Sequence, residues 1–347
     1  MFNSEVKLLR AAVFMGREDI RVLERDRPDI EADDVLVKVS YCGICGSDVT
    51  AYKTGNYVEG IVIGHEISGV VEEVGENVDH LMPGDRVVVN SALPCGRCRY
   101  CFSGRPSQCE DLDLIGITRD GGMADYISVP GWIIYRIPDK LSLLHAALVE
   151  PLSNVLHAFK LSSFRAGDTV LIQGAGPIGV LLLEVLKTAG ASKIIVSEIS
   201  ERRRRLAEEL GADVVINPIE ENLPLVVEKE TGGEGVDIVF DAAGVPETLK
   251  ANFTLARKAG EIMIIGITEE PAEADFFTTV LNELTIKGSY LGFNEFPQAI
   301  RLIAEGKVRA DKIITSIIEL EEIVEKGFKR LVKPIEECKI IVKIGGG

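Results

Sequence analysis

Positive charge is what this 347-residue chain has too little of: 38 Lys and Arg against 54 Asp and Glu leave a net charge of −16. That balance excludes the basic surface nucleic acid needs and suits an enzyme acting on a small substrate. Long apolar runs are also missing. The longest uncharged run, 169–183, has 15 residues with three glycines and a proline, too short to cross a bilayer. The start, MFNSEVKLLRAAV, lacks a basic stretch followed by an apolar one, so no signal peptide is expected. A cytoplasmic protein with no membrane partner is the expectation. Glutamine occurs three times amid many Glu, Lys and Arg, a composition pointing to a hot-growing source. Disorder is excluded by 46% apolar and 27% charged residues, and the length suggests about two domains. Seven cysteines form an odd, clustered set, which fits reduced thiols and metal ligands better than disulfides.

Residues up to about 130 read as all-β. Short apolar alternations at 35–39, 67–74, 86–89 and 126–129 are separated by Gly, Asp and Pro, a rhythm that predicts a barrel-like unit. Leu143 to Phe159 reads as helical around Pro151. From Thr169 the pattern changes to strand and helix in alternation. Strands are expected at 170–172, 193–197, 214–216, 236–240, 262–265 and 284–286, with helices at 178–189 and 202–210. Such βα units build a parallel, doubly wound sheet, and the fold class is α/β. A loop at 288–296, a helix at 297–304 and a last strand at 339–342 complete the chain.

Three constellations carry chemistry. Cys95, Cys98, Cys101 and Cys109 are spaced C-x2-C-x2-C-x7-C, and four soft thiolates close the tetrahedral shell that structural zinc uses. Two disulfides are the competing reading. The second constellation gathers Gly43-Ile44-Cys45-Gly46-Ser47-Asp48, then Gly64-His65-Glu66, then Val149-Glu150-Pro151-Leu152-Ser153-Asn154. Cys45, His65, Glu66 and Glu150 are all zinc-competent, and three protein ligands leave one position for substrate. The residues alone equally allow a redox C-x-x-C at Cys42 and Cys45, a core histidine, and ordinary salt bridges at Glu66 and Glu150.

The third is Gln173-Gly174-Ala175-Gly176-Pro177-Ile178-Gly179, a G-x-G-x-x-G between an expected strand and helix. Its glycines let backbone approach a pyrophosphate, and the helix start favours that charge. Glu198 follows 24 residues after Gly174, at the next strand end. A carboxylate there accepts both ribose hydroxyls and repels a 2′-phosphate, which favours NAD over NADP. Against it stand Arg202 to Arg205, which can accept a phosphate or form a solvated helix face beside Glu208 and Glu209.

In this order the three constellations resemble the medium-chain, zinc-dependent alcohol and polyol dehydrogenases, over nearly the whole chain. The resemblance implies a GroES-like catalytic domain at 1–155 with a structural-zinc lobe at 91–112. It implies a Rossmann NAD-binding domain at 156–292 and a return to the catalytic domain at 293–347. It implies two zinc ions per chain, one held by Cys95, Cys98, Cys101 and Cys109. The other is assigned to Cys45, His65, Glu66 and Glu150, with Asp48 orienting His65 and Cys42 a buried structural cysteine. Ser47 is the implied proton relay. Many relatives extend that relay with a histidine where Thr50 stands. Beyond Gly174, Gly176, Pro177, Ile178, Gly179 and Glu198, the implied cofactor contacts are Arg203, Ile265-Gly266-Ile267, Ser289 and Tyr290. Asp241 to Gly244 faces the cofactor. The implied reaction is transfer of a hydride from an alcohol carbon to the nicotinamide, with zinc lowering the pKa of the substrate hydroxyl. A homo-oligomer, dimer or tetramer, is also implied, pairing along the edge strand 284–286.

The substrate is less defined. Sorbitol dehydrogenases share the G-S-D-V, E-P-L and I-K-G…N-x-x-P stretches, yet Ala51 and Leu291 stand where they carry a polyol-binding tyrosine and arginine. Threonine dehydrogenases carry a histidine where this chain has Ala92. Sugar-alcohol phosphate dehydrogenases need a cationic pocket, for which Lys53 is a candidate. A secondary alcohol of polyol type is the expectation. A non-catalytic zinc- and nucleotide-binding relative is the reading from another class, and such relatives lack the Cys45, His65 and Glu150 set.

Overall fold

The computed structural model describes residues 9–268, 270–332 and 337–345. The outermost ends of the expected first and last domains, 1–8 and 346–347, and the start of the stretch inspected for a signal peptide lie outside the described residues.

Two sheets organise the chain. Six parallel strands run in the order Val214–Ile216, Lys193–Ser197, Thr169–Gln173, Val236–Asp241, Ala256–Ile264, Thr285–Gly288. In sequence terms this is 3-2-1-4-5-6, the doubly wound order with its switch point beside Thr169–Gln173. The strands there are near-continuous runs of Val, Ile and Leu because helices cover both faces. Helix Pro177–Ala189 opens with proline at its first turn, where no donor is needed, and closes at Gly190, whose φ is 91°. Helix Glu201–Leu210 is capped by Ser200 and closes at Gly211, whose φ is 90°.

The other sheet is mostly antiparallel. Its order is Ile314–Glu319, Lys339–Lys343, Asp34–Gly43, Glu66–Val74, Arg86–Val89, Ile134–Arg136, with Tyr126–Pro130 also paired to Asp34–Gly43. The expected β-rich unit is thus present, but two of its strands come from the far end of the chain. The sequence reading placed no strand at Ile314–Glu319, nor the hairpin Leu9–Gly16 with Asp19–Arg25.

The expected helix around Pro151 is two pieces, Leu143–Ala146 and Val149–Leu161. Pro151 falls in the first turn of the second, where its missing N–H costs no helical bond. This helix packs on Pro177–Ala189 and on Phe296–Ala304, while its first turn reaches strand Glu66–Val74. Glu150 is therefore carried from the side of the parallel sheet to the strand that bears Glu66.

Candidate metal and nucleotide sites

The four clustered cysteines converge. Their sulfurs lie within 4.8 Å of one another, and all seven cysteines of the chain are free thiols. Cys98 Sγ is 3.6 Å from Cys101 Sγ and 3.9 Å from Cys109 Sγ. A tetrahedron with metal–sulfur bonds of about 2.3 Å has sulfur–sulfur edges of about 3.8 Å. The backbone N–H of Cys95 donates to Cys109 Sγ at 3.1 Å. Backbone donors of Cys101 and Glu110 lower the Cys98 thiol to about 6, whereas burial pushes Cys101 up to about 12. Neighbouring thiolates repel, so a divalent cation is what lets all four ionise together. The donor set and its spacing fit zinc, and the disulfide pairing is not what this structure holds.

The second cluster forms where three elements meet. Cys45 precedes helix Gly46–Thr54, and Asp48 in its first turn accepts from the Cys45 N–H at 2.9 Å. Glu66 opens strand Glu66–Val74, with His65 just before it. Ligand atoms of Cys45, His65 and Glu66 lie within 4.8 Å of one another. Glu150 is outside that tight group but near enough for His65, Glu66 and Glu150 to feel one another's charge. His65 Nδ1 lies 3.6 Å from Asp48 Oδ1, facing it but beyond hydrogen-bond reach.

The electrostatics of this pocket ask for a cation. His65, Glu66, Glu150 and Asp48 are all buried, and burial pushes the Glu150 and Asp48 carboxyls up. Burial opposes a charged His65, yet Asp48, Cys45 and Glu150 outweigh it and raise its pKa well above the ordinary value. Buried polar atoms are normally paired. Here Glu66 Oε2 and Glu150 Oε2 are buried with no partner, and His65 turns its unpartnered Nδ1 toward Asp48. Two orphaned carboxylate oxygens beside a thiol and an imidazole fit a bound metal.

Sequence reasoning gave no role to several members of this site. Lys339, fully buried, pairs its ammonium with Glu66 Oε1 and donates to the Ile44 carbonyl at 3.0 Å. Nothing in K-I-I-V-K distinguishes Lys339 from the less buried Lys343. Tyr57 donates to Asp48 Oδ1 at 3.3 Å. Ser91 and Asn154 donate to Glu150 Oε1 at 3.3 and 3.2 Å. Asn154 was recoverable, since it lies one helical turn after Glu150. Gly43 was not: a β-carbon there would sit 1.8 Å from Glu66 Oε2, so only glycine lets that carboxylate lie where it does.

The nucleotide motif lies at the carboxyl ends of the parallel strands, where such folds bind ligands. Gly174 has φ of 91° and packs on Ala243, Gly176 precedes Pro177 and Ile178, and a β-carbon on Gly179 would meet the Gly174 carbonyl at 1.9 Å. Glu198 is buried, accepting from the N–H of Ala175 at 2.7 Å and of Ser200 at 2.8 Å. Asp241 accepts from Ala243 and Gly244 at 3.1 and 2.8 Å, which shapes the next loop. Ile265 and Gly266 both donate to the Asp241 carbonyl, and Ser289 donates to Ile264. Ile267 and Tyr290 remain exposed at the same end. Arg203 carries its Nε and Nη2 to the Glu337 carbonyl at 3.0 and 2.8 Å, while Nη1 stands 3.7 Å from the β-carbon position of Gly176, beside the glycine-rich turn.

A β-rich unit with a cysteine, histidine and carboxylate pocket, joined to a doubly wound sheet with a glycine-rich turn, defines the zinc-binding dehydrogenase class. Residues 31–139 match the alcohol dehydrogenase GroES-like domain family, and residues 177–305 match the zinc-binding dehydrogenase family. The chain is 36% identical over 350 residues to (R,R)-butanediol dehydrogenase of Bacillus subtilis, covering 96% of this chain and 99% of that one. It is 33% identical over 344 residues to sorbitol dehydrogenase of the same organism, covering 96% and 97%. Among solved structures, a protein described only as a zinc-binding dehydrogenase from Sinorhizobium meliloti, bound to NADP, superposes with a TM-score of 0.90 at 35% identity, covering 97% and 99%. The chain belongs to the medium-chain, zinc-dependent alcohol and polyol dehydrogenases and is an oxidoreductase of that family.

Proposed function

We propose that this dehydrogenase prefers NAD and oxidises a secondary alcohol bearing a neighbouring hydroxyl to the ketone. Glu150 carries the reading. Ser91 and Asn154 hold one of its oxygens, leaving Oε2 buried and bare beside the Cys45 and His65 pair. Such an atom accepts a hydrogen bond from a second hydroxyl far better than a thiolate does. The two relatives named above are dehydrogenases of adjacent-hydroxyl compounds, which supports it.

Cys45, His65 and Glu66, whose ligand atoms converge, would hold one zinc, leaving Glu150 Oε2 to the substrate, and the four lobe cysteines would hold a second. When bound, zinc supplies Lewis acidity toward the alcohol oxygen and NAD supplies the hydride acceptor. The chain's own residues do the rest. Ser47, on the first turn after Cys45, takes the hydroxyl proton, with Tyr57 close by. Glu198 accepts the ribose hydroxyls, and Ile267 and Tyr290 shield the nicotinamide from water. Ala51 and Leu291 leave the pocket wall less polar than a sorbitol-type site. Division of the chain near 155 and 292 belongs to the same reading, as do a cytoplasmic location and a homo-oligomer. The sheet edge Thr285–Gly288, with half-exposed Ile286 beside exposed Phe276, Phe277, Val280 and Leu281, supports self-association.

The test is kcat/KM with NAD over four- to six-carbon diols, polyols and their phosphates, against ethanol, 1-butanol and threonine. A site that pairs a substrate hydroxyl rejects analogues lacking it by up to about 10⁴-fold. Diols should therefore lead the simple alcohols by well over tenfold. A primary alcohol or threonine leading by tenfold overturns the polyol reading.

A further inference from the structure

Four consecutive arginines, Arg202 to Arg205, follow Glu198, where a guanidinium can take up the 2′-phosphate of NADP. Each is already held. Arg205 pairs with Glu201, and Arg204 donates to the carbonyls of Glu198 and Ile199 at 3.0 and 2.6 Å. Arg203 and Arg202 are both held by Glu337. Its carbonyl closes the Arg203 fork, and its Oε1 stands 3.5 Å from Arg202 Nη1 while also pairing with Arg330. Glu337 is 3% exposed, and its Oε2 has no partner. The residue comes from just before strand Lys339–Lys343, on the other sheet, 135 positions from Arg202. Glu198 and Glu337 both border the buried Cys338, so a 2′-phosphate arriving here meets two carboxylates, with the Arg203 fork already engaged and Arg202 drawn to Glu337.

We propose that Glu337 is a specificity-determining positioning residue: it tethers Arg202 and adds a second negative charge, so the arginine run cannot serve NADP. The proposal rests on the reading that NAD is preferred. It also explains how a phosphate-competent run of arginines coexists with Glu198. Bidentate recognition of a phosphate needs a guanidinium whose donors are free and aimed, and here the Arg203 fork ends on the Glu337 carbonyl while one Arg202 donor faces its carboxylate.

The test compares kcat/KM for NADP and NAD, together with calorimetric affinities for ADP-ribose and 2′-phospho-ADP-ribose. The variants are Glu198→Ala, Glu337→Gln, Glu337→Asp and the Glu198→Ala/Glu337→Gln pair. Glu337→Gln should raise the NADP-to-NAD ratio about tenfold, the effect of one charge-assisted hydrogen bond, and should do so again in the Glu198→Ala background. Glu337→Asp keeps the charge and should keep the wild-type ratio. Adding Arg202→Ala to the pair should remove most of the gain, leaving only the part due to the lost Glu337 charge. A purely structural role would weaken both nucleotides alike and leave the ratio unmoved. Arg202→Ala in Glu198→Ala alone needs no change at Glu337, and the tethered arginine's loss should not move the ratio. A ratio within twofold of the parent in both Gln variants, a gain undiminished by Arg202→Ala, or a fall on Arg202→Ala alone overturns the assignment. Wild type preferring NADP overturns the NAD reading and the proposal together, whereas wild type preferring NAD with unmoved variants overturns only the role of Glu337.

Discussion

Replacing Lys339 with methionine tests the electrostatic design of the Cys45, His65 and Glu66 pocket most directly. The ammonium is fully buried, pairs with Glu66 Oε1 and donates to the Ile44 carbonyl at 3.0 Å. Methionine fills similar volume, so the change isolates charge. Glu66 then keeps a buried negative charge with neither oxygen paired, since Oε2 is bare already. Breaking a buried pair at one end costs about 3–5 kcal/mol. Removing both charges in Glu66→Gln/Lys339→Met leaves only polar groups to satisfy, at about 1–2 kcal/mol, because replacing a whole buried pair is often close to neutral. The double variant should therefore be more stable than Lys339→Met alone, with a coupling energy of at least about 2 kcal/mol. Trp132, the chain's single tryptophan, reports urea unfolding of the sheet-bearing unit that holds Glu66. The measurement is the shift in free energy of unfolding at pH 7 on metal-free protein, the state in which Glu66 Oε2 is bare. A cost below about 1 kcal/mol for Lys339→Met, or a double variant whose cost equals the sum of the singles, refutes the reasoning.

Cys98→Ser should lose one zinc equivalent and lower the melting temperature, because a structural shell lost is folding free energy lost. Cys45→Ser should keep the melting temperature and abolish turnover, and identical behaviour of the two variants in melts and assays would show that the two cysteine sites do not divide their roles. Sedimentation at micromolar concentration should give a multiple of the 37.7 kDa chain mass. Replacing Phe276, Phe277 and Leu281 with charged residues should return it to one chain, and a wild-type mass of one chain removes the edge-strand interface.

Much of this molecule is local in sequence, and that part was legible. The four lobe cysteines fall within 15 residues, so their spacing alone brings their sulfurs together. The glycine-rich turn is set by backbone conformation, with Gly174 at a φ that side chains disfavour and Gly179 where a β-carbon would strike the chain. Parallel strands announce themselves as continuous apolar runs, because burial on both faces removes the polar alternation. What the tertiary structure alone decided is long-range and electrostatic. Glu66 and Lys339 are 273 positions apart, and Arg203 and Glu337 are 134 apart. Their meeting depends on strand Lys339–Lys343 lying against Asp34–Gly43, which in turn pairs with the strand that Glu66 opens. Hydrophobic period and turn chemistry act between near neighbours and leave a signature in the order of residues. The cost of burying a charge depends on which distant group the sheet order brings beside it, and Lys339 and Lys343 read alike until that order is known.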